Sequence, residues 1–141
     1  NLKPGYRLAR QFRQSMRGPR PIVVCDTGHF QLETTAFARL KGVMNWRRRL
    51  DLTETSLSLN DAIMGSGRRR IVRHFHTTLP VHEHPEGLRI GPVVLSTDGR
   101  TSLRPARRWL AYGRSEAASS IEILNEISLP WSSVLKISPL Q

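Results

Sequence analysis

Residues 36–80, AFARLKGVMNWRRRLDLTETSLSLNDAIMGSGRRRIVRHFHTTLP, decide the fold class of this chain. Apolar and polar residues alternate over Trp46–Thr53 and again over Arg69–Leu79, which is the spacing of half-buried β-strands. The glycines of Met64–Gly67 separate the second run from the apolar positions of Ser56–Ile63 and predict a hairpin turn. The stretch therefore predicts consecutive antiparallel strands.

Strand periodicity continues on both sides of this stretch. Together the runs predict an all-β fold, an antiparallel β-sandwich of about ten short strands with no long helix. Asp98-Gly99 adds a second tight-hairpin signal. We expect residues 21–141 to form one domain and residues 1–20, which are basic, to form an arm or linker. The further runs are Ile22–Asp26, His29–Thr35, the weaker Phe37–Val43, Leu88–Ser96, Thr101–Leu103, Arg107–Tyr112, Ser119–Ser128 and Val134–Ile137.

The chain is strongly basic, with 22 Lys and Arg against 11 Asp and Glu and a net charge of +11. All but three of the basic residues, Lys3, Lys41 and Lys136, are arginine. The planar guanidinium suits carboxylate, sulfate or phosphate groups, so a polyanionic partner is one interpretation. The other is that the charges are solvated and have no specific partner.

Cysteine usage and the chain start say little about compartment. Cys25 follows two valines, and we expect it to be a buried core thiol rather than a nucleophile. The sequence begins at Asn1 and not at Met, which we interpret as a processed piece or an excised domain. No apolar run approaches the roughly 20 residues of a membrane span, and localisation is unknown from composition.

Strand alternation divides the first arginine triplet between two faces. Arg47 and Arg49 share one face, whereas Arg48 lies with Trp46 and Leu50 on the other. Arg48 is therefore expected to be partly buried and paired with an acid such as Asp61.

The remaining arginines of the two triplets form a candidate polyanion-binding set. Guanidinium groups repeated every ~6–7 Å along a strand can bind successive acidic groups of a polymer. The alternative is an outward, solvated face. The candidates are Arg47, Arg49, Arg68, Arg69, Arg70 and His74.

The histidines and the aromatic residues near the end of the chain are further candidates, for a metal site and for a stacking site respectively. His74 and His76 form a His-x-His on a strand, with His82 and His84 beyond Pro80, but we predict no metal site and no cofactor. His76 is expected to be a hydrogen-bonded structural residue, and His82 and His84 to lie in an exposed loop. The strand spacing of Trp109 and Tyr112 favours core packing, with stacking on a sugar or base as the alternative.

The order of several motifs resembles the C-terminal β-sandwich of the heparinase II/III-like polysaccharide lyases, over residues 22–137. The motifs are an aromatic-Ala-Arg-Leu segment, a basic strand, a Leu-x-Leu-x-Asp-x-Ile-x-Gly-x-Gly run, a Phe-His-x-x-Leu-Pro run, and closing Trp/Tyr-Gly and Leu-Pro elements. They lie at Phe37–Leu40, Trp46–Leu52, Leu57–Gly67, Phe75–Pro80, Trp109–Gly113 and Leu129–Pro130.

The resemblance implies a parent enzyme that cleaves acidic polysaccharide by β-elimination. In that family most catalytic groups lie on an N-terminal α/α-toroid domain, and the His-rich motif of the sandwich normally precedes the segment seen here. We therefore carry over no catalytic residue and expect this chain alone not to be catalytic. The implied partners are an acidic polysaccharide and the toroid domain, and the implied compartment is the bacterial periplasm or outside the cell.

Two other functions stay open from the sequence. A basic β module that binds nucleic acid would carry aromatics interleaved with arginine on one face. The triplets lack such aromatics apart from Trp46, so nucleic acid is the less favoured partner. A purely structural domain with incidental charge is the third interpretation.

Overall fold

The computed structural model describes residues 19–140, which are all-β, as predicted. The predicted arm of residues 1–20 lies outside the described residues except for Pro19 and Arg20. In the described part of the chain, nine antiparallel strands form one hydrogen-bonded sheet. The predicted number of about ten is therefore nearly right, but two strands are much longer than expected. They are β1 (Ile22–Asp26), β2 (His29–Thr34), β3 (Val43–Leu52), β4 (Leu57–Thr77), β5 (Val81–His84), β6 (Gly87–Ile90), β7 (Val93–Ser96), β8 (Arg100–Ala111) and β9 (Arg114–Pro139).

The sheet is built around the long pair β4 and β9. Its strand order is β1-β2-β3-β4-β9-β7-β6-β5, and β8 pairs with β9 off this path. The partners of β4 are β3 along its first half and β9 along nearly its whole length, from Leu57–Ile137 to Thr77–Ser119. Every other strand is therefore positioned by this central pair.

The hairpin predicted at Met64–Gly67 is wrong, because this segment bends β4 instead of reversing the chain. Residues 64–66 of β4 lie opposite the single residue Pro130 of β9, which is a bulge, and bulges bend the strand that carries them. Gly65 has φ 144°, and a Cβ there would overlap the carbonyl oxygen of Gly42. The Ser66 amide donates a hydrogen bond of 2.8 Å to the same oxygen and fixes the bend.

The bend folds the sheet into two layers. Asp61 and Arg73 are twelve residues apart on β4, which in a straight strand is about 40 Å, yet their side chains approach to 3.8 Å. On β9, Asn125 and Ser133 both bond Asp98. We call the layer with β1–β3, β5–β7, residues 57–63 and residues 131–139 the first layer, and the layer with β8, residues 67–77 and residues 114–129 the second layer.

The core lies between the inner faces of these layers. Its side chains alternate along the central strands with outward-facing ones, which is the pattern of packed antiparallel sheets. Ile121 and Ile123 of the second layer and Leu95 and Leu135 of the first layer are almost completely buried. The whole cluster comprises Leu59, Leu88, Ile90, Leu95, Ile121, Ile123 and Leu135.

The expectation that Cys25 is a core thiol is wrong. Among residues 19–140, β1 pairs with β2 alone, at one edge of the sheet, and all five of its residues, including Cys25, are exposed. An apolar run of this kind has the same composition in a central strand and in an edge strand. The position of β1 in the sheet, and not its residues, therefore decides the exposure of the thiol.

Two further predictions about local structure are corrected. Phe37–Val43 is not a strand up to Gly42; it is a series of turns closed by hydrogen bonds such as Leu40 amide to Phe37 carbonyl, 2.9 Å. The Asp98-Gly99 turn does not join a hairpin, because β7 and β8 both pair with β9 and lie in different layers. Residues 19–140 contain no helix that is long and apolar enough to cross a membrane.

Candidate functional site

A buried carboxylate joins the two layers at the bend. Asp61 is 2% exposed, and its two oxygens accept hydrogen bonds from Arg48 Nε at 2.7 Å and Nη2 at 2.9 Å. The Trp46 indole donates a third, at 3.1 Å. The Arg48 side chain is 29% exposed, so its predicted partial burial and its pairing with Asp61 are both confirmed. Charge-assisted forks of this type fix geometry as well as adding energy.

Arg73 enters the same cluster from the second layer. Its Nη2 donates to Thr97 at 3.2 Å and to Asn125 at 3.1 Å, and lies 3.5 Å from Asp98. Burial lowers the pKa of its guanidinium below the ordinary value for arginine, and the carboxylates of Asp61 and Asp98 oppose that shift. Within residues 19–140 its Nε and Nη1 have no hydrogen-bond acceptor. Arg73 is therefore a buried cation that Thr97 and Asn125 hold by hydrogen bonds and that the charges of Asp98 and Asp61 stabilise at 3.5 Å and 3.8 Å.

Beside this cluster the layers enclose a cleft of about 390 Å³, within the lower range of ligand pockets. Its walls are aromatic and aliphatic, with Phe37 packed edge-on against Trp46 at 5.8 Å between ring centroids. Arg48 lies 4.9 Å above the Trp46 ring and Arg73 lies 5.7 Å from the Trp131 ring. Indole rings with polar groups at one end are suited to flat, partly polar ligands.

One side of the cleft carries part of the predicted polyanion-binding set. Arg69, Arg70 and His74 line it, and Arg68 joins Arg69 and Arg70 in a neighbouring groove of about 450 Å³ with Glu126. In the described part of the chain, no carboxylate lies within 4 Å of these three arginines. His74 lies 3.8 Å from Glu122. The second triplet is thus a concentration of positive charge without paired acids.

The first triplet is not brought to the same surface. Arg47 and Arg49 face outward on the first layer, opposite Ala62 and Asn60 of β4. Arg68 and Arg70 face outward on the second layer. Because β4 continues through the predicted hairpin turn, the two triplets lie on different layers and do not face each other.

Arg49 is also partly neutralised. Its Nε lies 2.8 Å from an oxygen of Asp51, which in turn lies 2.8 Å from His29 Nδ1. The hydrogen bonds from His29 and Arg49 lower the pKa of the Asp51 carboxyl below its ordinary 3.8. Of the first triplet, Arg47 alone has no carboxylate within 4 Å among the described residues.

The histidines do not converge on one site. His76 is exposed on the second layer and its side chain has no hydrogen bond within residues 19–140, so its predicted structural role is not seen. His82 and His84 lie on strand β5 rather than in a loop, and His84 Nδ1 accepts the Glu86 amide at 3.2 Å. The described residues contain no group of three His, Cys, Asp or Glu side chains that could hold a metal ion.

The expected core packing of Trp109 and Tyr112 is wrong. Trp109 is 68% exposed, and Tyr112 is fully exposed in the turn between β8 and β9. Strand spacing is the same for a core strand and for a projecting hairpin, so the sequence pattern could not distinguish them.

Several residues of the cleft escaped the sequence analysis. Trp131 and Arg73 reach the site because β4 and β9 bend together, and Asp98 reaches it from the connection between layers. Their sequence neighbours gave no signal for this. The pairing of Arg48 with Asp61 had a signal, namely a charged residue on an otherwise apolar strand face.

Comparison with known proteins supports the fold only. No protein-family model matches the chain, and no curated protein matches it significantly. Among solved structures, 4-alpha-glucanotransferase from Thermococcus litoralis is similar with a TM-score of 0.53 and 10% sequence identity. The match covers 85% of this chain and 22% of the glucanotransferase chain, so this chain spans about a fifth of that protein's length. At this identity the likeness concerns the fold.

Proposed function

We propose that this chain is the accessory β-sandwich of a polysaccharide lyase-like protein that acts on acidic polysaccharide by β-elimination. The chain supplies scaffold and a basic wall that faces the substrate, and the catalytic groups lie elsewhere in the parent protein. The observation that carries the proposal is the aromatic cleft with unpaired arginines along its side. The motif order given above favours the lyase class over other uses of such a cleft.

The proposed wall is narrower than the set predicted from sequence. It consists of Arg68, Arg69, Arg70 and His74, because these residues line the cleft or the adjoining groove. Guanidinium groups hold the carboxylates or sulfates of the polymer, and the positive potential attracts it from solution. Arg47 and Arg49 lie on the other layer, so they contribute only to the long-range field.

The floor of the cleft contributes shape rather than charge. Arg48 and Arg73 are already engaged by Asp61 and Asp98, so this part of the site has no net charge. The rings of Trp46 and Trp131 offer surfaces against which a sugar ring can lie. Charge at the side and aromatic surface below are the two requirements for an acidic sugar.

Retention on immobilised heparin and alginate, with a neutral glucan as reference, tests the proposal. The double variant Arg68→Gln/Arg70→Gln removes two charges at the wall, and Arg47→Gln/Arg49→Gln removes two on the other layer. We expect the wall variant to elute at clearly lower salt than its control, with the salt slope reduced by about one per arginine. An equal loss of retention in the two variants would mean that net charge, and not the position of the arginines, determines binding.

Three further results would contradict the proposal. Retention on heparin and alginate no stronger than on the neutral glucan would remove the binding claim. Tighter binding to single-stranded DNA than to either polysaccharide at matched salt would favour the nucleic-acid alternative. Formation of unsaturated uronate, followed by its absorbance with this chain alone, would show that catalysis does not lie elsewhere.

A further inference from the structure

The turn between β8 and β9 stands away from the sandwich as a two-stranded arm. The last pair of residues that joins β9 to β4 is Thr77–Ser119, and Pro105 lies opposite Ser119 on the other side. Beyond this point β8 is the one partner of β9 among the described strands, up to Ala111–Arg114. We call residues 106–118 the arm; it extends about 20 Å at the rise of a β-strand.

The end of the arm is apolar and uncovered. Residues 107–114 are all exposed, and Trp109, Leu110 and Tyr112 present large apolar side chains to solvent. A Cβ on Gly113 would meet no atom within 4 Å, so no other part of the described chain packs on the turn. Large apolar side chains gathered at one exposed place mark an interaction surface.

A group of arginines lies directly behind this end. Arg108 is paired with Glu116 at 3.3 Å, whereas Arg107 and Arg114 have no carboxylate within 4 Å among residues 19–140. With Arg104, which is 3.1 Å from Glu122, four arginines lie along the arm and its base. The surface that meets the arm must therefore be apolar at its centre and acidic around it.

We propose that the arm docks on the anionic surface of a lipid bilayer, with Trp109, Leu110 and Tyr112 in the interface and the arginines at the headgroup phosphates. Trp and Tyr favour this interface because each has an apolar body and a polar group. Basic residues near an anionic leaflet each strengthen binding. This contact is peripheral and independent of the cleft.

The shape of the arm favours a bilayer over a polymer. A single strand of nucleic acid or polysaccharide stacks on aromatics that follow one face of a sheet. Here Leu110 lies at a register shift between Trp109 and Ala111, and Tyr112 lies in the turn itself. The apolar groups thus surround the end of a ribbon, which suits end-on insertion.

Cosedimentation with vesicles tests this docking. We expect binding to vesicles of phosphatidylcholine with phosphatidylglycerol and little to pure phosphatidylcholine. Trp109→Ala/Tyr112→Ser should weaken it at least tenfold, and Arg107→Gln/Arg114→Gln by about fivefold per arginine at low salt. The controls are Val134→Ala, an exposed apolar side chain on the first layer, and Arg47→Gln/Arg49→Gln. These should stay within about twofold of the unmodified protein.

Quenching of tryptophan fluorescence by brominated lipid identifies the inserted residue, and we expect Trp109→Phe to abolish it. Equal binding to neutral and anionic vesicles, or unchanged vesicle binding in the Trp109→Ala/Tyr112→Ser variant, would overturn the proposal. So would a loss of heparin or DNA binding in that variant without any binding to vesicles, which would make the arm a polymer contact. Failure of the cleft variants on heparin leaves this test unaffected.

Discussion

Two groups of arginines in this protein differ in surroundings although they alternate along the same strands. Arg48 and Arg73 lie inside the sandwich, where Asp61 and Asp98 neutralise them. Arg47, Arg68 and Arg70 lie outside and have no carboxylate within 4 Å in the described part of the chain. Position on the pleat, and not residue type, separates a structural cation from one that is available to a ligand.

The difference also sets what a substitution costs. A buried charge has lost its hydration, so removing its partner leaves a large uncompensated penalty. An exposed arginine keeps its water, and its loss changes the surface potential far more than the stability. Stability measurements should therefore report on the inner group, and binding measurements on the outer one.

Replacing Asp61 by Ala should have the largest effect on stability. It removes the acceptor of Arg48 and of the Trp46 indole, and it takes away the negative charge that lies 3.8 Å from Arg73. We expect the free energy of unfolding to fall by about 3–5 kcal/mol, measured by chemical denaturation. Asp26→Ala on the exposed edge strand is the matched control and should change it by less than about 0.5 kcal/mol. A similar small change for both would mean that the buried cluster does not hold the layers together.

The bend of β4 positions Arg73 inside the sandwich, so we expect a substitution of Gly65 at the bend to have the second largest effect on stability. Gly65→Ala puts a methyl group against the Gly42 carbonyl oxygen and requires φ near 144° from a residue that avoids it. The strain alone is about 1–3 kcal/mol, and the layers must also shift. Gly113→Ala is the control for a positive φ without a close contact, because Gly113 has φ 72° and a Cβ there would meet no atom within 4 Å. Equal destabilisation by both variants would argue against a close approach at the bend.

The sequence predicted the division of the first triplet because it depends only on strand alternation. Arg48 with Asp61 followed from a charged residue on an apolar face, and it is confirmed. The sequence could not predict whether Met64–Gly67 reverses the chain or bends one strand, since the same glycines permit a hairpin or a bend. The choice depends on β9, which pairs with β4 on both sides of the bend, at Ile63–Trp131 and Gly67–Leu129, from more than sixty residues away.

Besides the bend of β4, the local sequence pattern did not determine which strand side chains are exposed to solvent. Val-Val-Cys at β1 and Trp109 at β8 both have the composition of covered strands, yet one lies at a sheet edge and the other on a projecting arm. Burial requires an opposing surface, and the residues of a strand do not specify whether one exists. The cleft could not be predicted from the sequence for the same reason, because its walls come from two layers whose packing no local pattern specifies.

A direct comparison of inner and outer arginines on one strand gives the third prediction. Arg73→Met should lower the free energy of unfolding by about 1–3 kcal/mol, because Asn125 and Thr97 lose a buried donor. Arg70→Met, three residues earlier and exposed, should change it by less than about 0.5 kcal/mol while weakening retention on heparin. A larger loss of stability for Arg70→Met than for Arg73→Met would contradict the distinction between inner and outer arginines.

The smallest effect concerns Asp51, which lies on the outer face and pairs with Arg49 and His29. Hydrogen bonds from His29 and Arg49 lower the pKa of Asp51 in the folded protein below the 3.8 expected when it is unfolded. The unfolded chain therefore binds the proton more readily, and stability is lost as pH falls from about 4 through the folded pKa. Above pH 5 the contribution is fully present and constant.

Asp51→Asn removes this titration and should flatten the acid limb of the stability curve slightly, measured by denaturation between pH 5 and 2. Asp26 also lies on the outer face of the first layer, where within residues 19–140 its carboxylate accepts one hydrogen bond, from the neighbouring Thr27 amide, so Asp26→Asn supplies the comparison. Because Asp51 is solvated, the change should be far smaller than that of Asp61→Ala at neutral pH. An effect of Asp51→Asn as large as that of Asp61→Ala would mean that outer pairs stabilise this sandwich as much as buried ones.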